Sequence, residues 1–139
     1  MKKIKFRRFP HPADIKIRVY GDSIKEIFIN TLYALKKLWI NRQTPKNYIT
    51  KKIEINAKNL DFLLYKFIEH QIFLLDTELL IPIEAKDIII TNNQKINASI
   101  NYTKADSLII YTGIKAITLS EFEVNLKNER KYFQFVLDI

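Results

Sequence analysis

Two aspartates and the last residue are the groups in this sequence best placed for chemistry: Asp14, Asp138 and Ile139. Asp14 lies between a proline-bounded turn and an alternating segment, at an element end where sites tend to form. Asp138 is penultimate, on a segment that otherwise reads as a buried strand, and Ile139 brings a terminal carboxylate. If the first and last strands are neighbours in a sheet, three anionic groups converge. Two unit charges about 4 Å apart repel by about 4 kcal/mol at an effective dielectric of about 20. Such a cluster calls for a cation, a paired Lys or Arg, or a shared proton. A hard divalent ion such as Ca²⁺ or Mg²⁺ suits an all-oxygen set. The plainer alternative has Asp14 capping a turn and Asp138 at a solvated chain end. Local sequence favours that alternative, since nothing local makes the two ends meet.

Two further residues could support such a site. His11 titrates near neutrality and could be acid, base or ligand, although a His beside Pro more often hydrogen-bonds within a turn. Lys115, between Ile114 and Ala116, either projects into the same region or lays its stem on the sheet with a solvated head. Other chemistries are excluded. The chain has no cysteine, so disulfides, thiolate metal sites and a cysteine nucleophile are absent. Its two histidines, His11 and His70, are far apart in sequence, so a zinc site would draw mostly on carboxylates, which is uncommon. Two glycines, Gly21 and Gly113, cannot make a Gly-rich phosphate loop. No Ser-His-Asp order, paired-carboxylate spacing or HExxH helix is present, so no catalytic residue is assigned and the residues point to no enzyme.

The elements that must position these residues follow from hydrophobic period. Phe6 to Phe9 reads as a short strand, and Ile15 to Tyr20 alternates apolar and charged positions, as a strand with one buried face does. After Gly21-Asp22, Ser23 and Glu26 make a capping box for a helix with Ile24, Ile27, Phe28, Leu32, Leu35 and Leu38 at helical spacing, ending near Ile40. Tyr48 to Ala57 is a strand with Ile49, Ile53 and Ile55 as candidate buried positions. Asn59 caps a second helix whose stripe runs Leu60, Leu63, Leu64, Phe67, Ile68 and Ile72, stopping around Asp76. Leu79 to Ile90 and Gln94 to Tyr102 form strands joined by Asn92-Asn93. Ile114 to Val124 and Tyr132 to Asp138 form a closing hairpin, with Phe133, Phe135 and Leu137 on one face. The expectation is an α+β fold: a single domain over residues 1–139, one mixed sheet with two long helices packed on it.

Composition agrees with a folded, soluble, intracellular chain. The apolar share of 47% is ordinary for a globular domain, and no apolar run approaches the roughly 18 residues that span a bilayer. The basic start lacks the apolar stretch and cleavage site of a signal peptide. The net charge of +8 fits nucleic-acid contact or, more plainly, a compositional bias, because lysines occur in every segment. The N-terminal cluster Lys2, Lys3, Lys5, Arg7 and Arg8 is the best exception. The aromatic residues, including Trp39, are better explained as core than as base-stacking platforms.

The segment from Phe9 to Gly21, FPHPADIKIRVYG, resembles the opening motif of the archease family, a His-Thr-Ala-Asp followed by an alternating strand and Gly. Ser23 to Phe28 resembles that family's capped first helix. Asn59 to Leu64 and Phe73 to Glu78 resemble its second helix and exit. Gly113 to Thr118 is similar to its late Lys-Ala-Val-Thr strand, and Val136 to Ile139 to its ending. The resemblance covers the whole chain, in order. It implies a divalent metal, calcium first with magnesium or manganese as alternatives, held by Asp14, Asp138 and Ile139. It also implies a cytoplasmic, non-catalytic protein that helps an RtcB-type RNA ligase load GMP and turn over repeatedly in tRNA splicing and RNA repair, with at most weak or indirect tRNA contact. A second role suggested by the resemblance is chaperone or specificity factor for a tRNA-modifying enzyme such as a methyltransferase. Two positions depart from the pattern: Pro12 replaces the usual Thr, and Leu119-Ser120 stand where Tyr-His is usual.

Overall fold

A computed structural model describes residues 3–10, 13–108, 110 and 112–139. Seven strands and two α-helices follow in the order β1 (Phe6–Phe9), β2 (Asp14–Gly21), α1 (Ile24–Ile40), β3 (Ile49–Asn56), α2 (Leu60–Glu78), β4 (Leu80–Thr91), β5 (Lys95–Lys104), β6 (Ala116–Asn125) and β7 (Lys131–Asp138). The α+β class and both helices stand as expected. The strands, however, divide between two antiparallel sheets, β1-β2-β7-β6 and β3-β5-β4, where one mixed sheet was expected.

The physical reason lies in α1. Its buried residues include Ile27, Phe28, Thr31, Leu32, Ala34, Leu35, Leu38, Trp39 and Ile40, which exceeds one helical stripe. A helix apolar on more than one face must be covered on more than one side. Accordingly α1 packs against β2 of one sheet and β4 of the other, while α2 contacts β6 and β4. Phe28 and Phe67 meet edge to face at 5.0 Å and tie the two helices together.

Both helix starts form as their sequences direct. Ser23 Oγ accepts from the Glu26 N–H at 3.1 Å, and Asn59 Oδ1 accepts from the Phe62 N–H at 2.9 Å. The Glu26 carboxylate reaches back to the Asp22 N–H instead of that of Ser23. Gly21 is required by close approach: a Cβ there would lie 2.9 Å from the Ile27 nitrogen. Asn92 and Asn93 turn the β4–β5 hairpin with φ of 51° and 55°. Burial in β3 is confined to its middle, so Ile53 is buried while Ile49, at its first position, is exposed.

The strand pair that matters most for function is β2–β7. Eight consecutive residues pair without a bulge, from Asp14↔Asp138 to Gly21↔Lys131. On the inner face Ile15↔Leu137, Ile17↔Phe135 and Val19↔Phe133 are all fully buried against the helices. The outer face carries Asp14, Lys16, Arg18 and Tyr20 opposite Asp138, Val136, Gln134 and Tyr132. Part of that outer face is roofed by β6, whose pairing with β7 shifts between Thr118 and Glu123. The Glu121 carbonyl accepts from Gln134 Nε2 at 2.9 Å, and the Glu121 carboxylate reaches Lys16 of β2 at 3.1 Å. This crossing explains why Val136 and Gln134 are buried on the side away from the helices. The same bulge turns Phe122 onto Phe133 and Tyr65.

Candidate functional site

The antiparallel pairing of β2 with β7 joins residues from opposite ends of the chain. Asp14 and Asp138 are direct cross-strand partners, so both side chains leave the same face of the sheet. Cβ atoms of such partners lie about 4.5–5.5 Å apart. Ala116 of β6 pairs with Asp138 on its other side, and the Lys115 N–H donates to the Asp138 carbonyl at 2.8 Å. Asp14 is half-buried, while Lys115, Asp138 and Ile139 are exposed. The two ends therefore meet, which the local sequence did not favour. His11 and Pro12 lie outside the described residues.

Two carboxylates directly opposite each other destabilise a sheet unless something compensates them. Among the described residues, neither Asp138 nor Lys115 forms a side-chain ion pair. Ala13, immediately before Asp14, holds φ at 60°, a left-handed conformation that costs a residue with a Cβ about 1–2 kcal/mol. Strain at a single position beside a polar cluster fits a turn whose geometry serves the site. Among the described residues no three His, Cys, Asp or Glu side chains gather as metal ligands. A cation at this end would draw on Asp14, Asp138, a main-chain oxygen of Ile139 and water. That all-oxygen donor set suits calcium or magnesium and does not suit zinc.

His70 stands apart from this end. It lies on α2 stacked on Phe73, and burial lowers its pKa, assisted by the charge of Lys51 and opposed by Glu78.

A second feature, which the N-terminal basic cluster foreshadowed only through Lys3 and Arg7, occupies the other end of the same outer face. A cleft of about 810 Å³ is lined by residues that include Lys3, Arg18, Tyr20, Asp22, Arg130 and Tyr132. These come from four segments, and only the alternation of Lys16, Arg18 and Tyr20 hinted that β2 has a basic outer face. The N-terminal basic cluster does not stay together in space. Lys3 pairs with Asp22 and Arg7 faces Arg18, whereas Lys5 lies over Tyr33 and Arg8 borders α1 near Lys37.

The fold and this end of it define a small two-sheet α+β domain that carries an acidic tip where its second and last strands pair. The family model described as the Archease protein family matches residues 6–139. This chain belongs to the archease family. The protein archease of Pyrobaculum calidifontis is 27% identical over 146 residues, covering 99% of this chain and 97% of that one. That of Archaeoglobus fulgidus is 25% identical over 138 residues, covering 96% and 98%. That of Pyrobaculum islandicum is 34% identical, but over 77 residues, 55% of this chain and 52% of its own. Among solved structures, protein 1598 of Methanobacterium thermoautotrophicum superposes with a TM-score of 0.77 at 19% identity, covering 97% of this chain and 99% of that one. An archease of Thermotoga maritima, described as a possible chaperone, superposes with a TM-score of 0.65 at 16% identity, covering 100% and 98%. No helix among the described residues is long and apolar enough to cross a membrane.

Proposed function

We propose that this archease is a cytoplasmic, non-catalytic accessory protein that activates an RtcB-type RNA ligase, promoting its guanylylation and repeated turnover in tRNA splicing and RNA repair. The observation that carries this reading is the cross-strand pair Asp14 and Asp138 at an accessible end of the sheet, with Lys115 hydrogen-bonded beside it. Membership of the family supports it. Asp14, Asp138 and Ile139 would hold a calcium ion, or magnesium or manganese, which would supply positive charge for oxygen ligands of a partner. The chain's own residues do the remaining work. The rigid β2–β7 ladder fixes the spacing of the two carboxylates, and Ala13 sets the direction from which the chain enters Asp14. Lys115, exposed at the rim, places a positive charge where it can meet a phosphate or a partner carboxylate.

The test is a ligation assay at limiting ligase, scored as joined RNA per ligase molecule. The expected result is several turnovers with this protein and about one without it. An unchanged yield per ligase molecule would sink the proposal. The alternative role, a chaperone or specificity factor for a tRNA-modifying enzyme such as a methyltransferase, is favoured by one observation: the Thermotoga maritima relative is described as a possible chaperone. Affinity capture separates the two roles by the partner recovered.

A further inference from the structure

On the outer face of β1 and β2, Arg7 and Arg18 are direct cross-strand partners. Like charges in that relation destabilise a sheet, and neither guanidinium forms an ion pair among the described residues. Arg18 is half-buried, with Nε and Nη2 both donating to the neutral amide oxygen of Gln134, at 3.2 and 2.7 Å. Its guanidinium lies 4.3 Å from the Tyr132 ring centroid and 5.3 Å from that of Phe9. These rings hold it in one orientation without neutralising it.

Two of the three carboxylates nearby are committed elsewhere. Asp22 takes Lys3 at 2.6 Å and Arg130 at 3.4 Å, and the bond from Lys3 holds its carboxyl below the usual aspartate range. Glu26 takes the other arm of Arg130. Glu129 lines the cleft but pairs with neither Arg7 nor Arg18. The cleft beside Arg18 and the recess beside Arg7 share Lys3, Tyr20 and Arg130, so the two arginines open onto one depression. Four cations there, Lys3, Arg7, Arg18 and Arg130, face three carboxylates, Asp22, Glu26 and Glu129, and the two cations without an ion pair among the described residues are both arginines.

We propose that this depression binds phosphate groups of an RNA strand, with Arg7 and Arg18 as the gripping pair. Two adjacent guanidinium forks match a phosphate, whose several oxygens accept from both, better than one carboxylate, which a single fork saturates. The cleft volume of about 810 Å³ exceeds what one free phosphate fills. The +8 net charge adds long-range attraction for a polyanion. The acidic tip plays no part in this site, so the inference stands apart from the proposed ligase activation.

Fluorescence anisotropy with a labelled single-stranded RNA, titrated at several salt concentrations, tests it. The expected result is binding that weakens steeply with salt, and a loss of about tenfold or more for Arg7→Glu, with a shallower salt slope. Arg7 is exposed and its side chain has no hydrogen bond or ion pair among the described residues, so Arg7→Glu should fold, with circular dichroism as the check. Arg18→Gln should weaken binding as well, with circular dichroism confirming its fold. Lys86→Glu, an equal charge change at an exposed position on β4, should have a much smaller effect. Inorganic phosphate and GMP should compete only at far higher concentration than unlabelled RNA. Equal losses for Arg7→Glu and Lys86→Glu would overturn the site in favour of diffuse attraction. Inorganic phosphate competing as well as RNA would overturn the strand as ligand. A glutamate-rich peptide competing as well as RNA would overturn phosphate chemistry. RNA affinity unchanged in Asp14→Ala and Asp138→Ala keeps this outcome separate from that of the ligase assay.

Discussion

The outer face of one sheet carries two like-charged pairs of opposite sign. Asp14 faces Asp138 where β2 meets β7, and Arg7 faces Arg18 where β1 meets β2. Asp14 and Arg18 are four residues apart on a single strand, roughly 13–14 Å at the usual strand rise. Both pairs break the rule that opposed partners in a sheet should attract or be neutral. Their surroundings differ. Arg18 is oriented by aromatic rings and by Gln134, whereas the aspartates stand at strand ends, Asp14 directly after a strained Ala13. The lesson is that one sheet face sets like charges opposite each other at two places, and the sign of each pair decides what it attracts: a cation at the acidic pair, an anion at the basic one.

The most severe way to break this comparison is to remove the core that both ends share. Phe135 is fully buried between Phe133 and the helices, opposite Ile17. Phe135→Ala should cost about 3–5 kcal/mol, read as a lower urea midpoint, and should weaken both ends together. Next in size is the loss of a ligand at the tip. Asp14→Asn or Asp138→Asn should reduce calcium affinity by more than about a hundredfold in calorimetry while leaving RNA binding intact. Retention of calcium by both variants would mean that the strand ends do not build one site.

A smaller effect of opposite sign sharpens the parallel. Without divalent metal or RNA, Asp138→Asn and Arg7→Gln should each stabilise the protein by about 0.2–1 kcal/mol, by relieving repulsion. Thermal midpoints in chelator and low salt would show it, and a drop in either would mean that the pair was already compensated. The smallest effect comes from a region belonging to neither end. His70 has a lowered pKa when folded, so below the ordinary histidine value of about 6.5 the unfolded chain binds the extra proton more readily. Stability should therefore fall as pH drops through that value, and His70→Gln should flatten the fall. Calcium and RNA should leave this slope unchanged.

Local structure was legible because its causes are local. The bounds of β1, the start of α1 at Ser23 and its end at Ile40 followed from alternation, helical spacing and a capping box. The second helix was placed by Asn59 and its apolar stripe, though it runs to Glu78, past the expected stop at Asp76. The Asn92-Asn93 turn was readable because a side chain that tolerates positive φ is written at the position that needs it. The meeting of Asp14 with Asp138 was legible only as a condition, that the first and last strands be neighbours.

Sequence by itself determined which segments are helix and strand, which face of each is apolar, and that Asp14 and Asp138 are oddly placed carboxylates. Tertiary structure decided everything that depends on which strands pair. It set β2 beside β7, split the strands into two sheets around an α1 apolar on more than one side, and folded β6 over Val136. It also gathered Lys3, Arg7, Arg18 and Arg130 around one depression. Period and capping are encoded within a few residues. The pairing of segments from opposite ends of a chain is set by the packing of the whole core, and the two opposed charge pairs exist only once that core has formed.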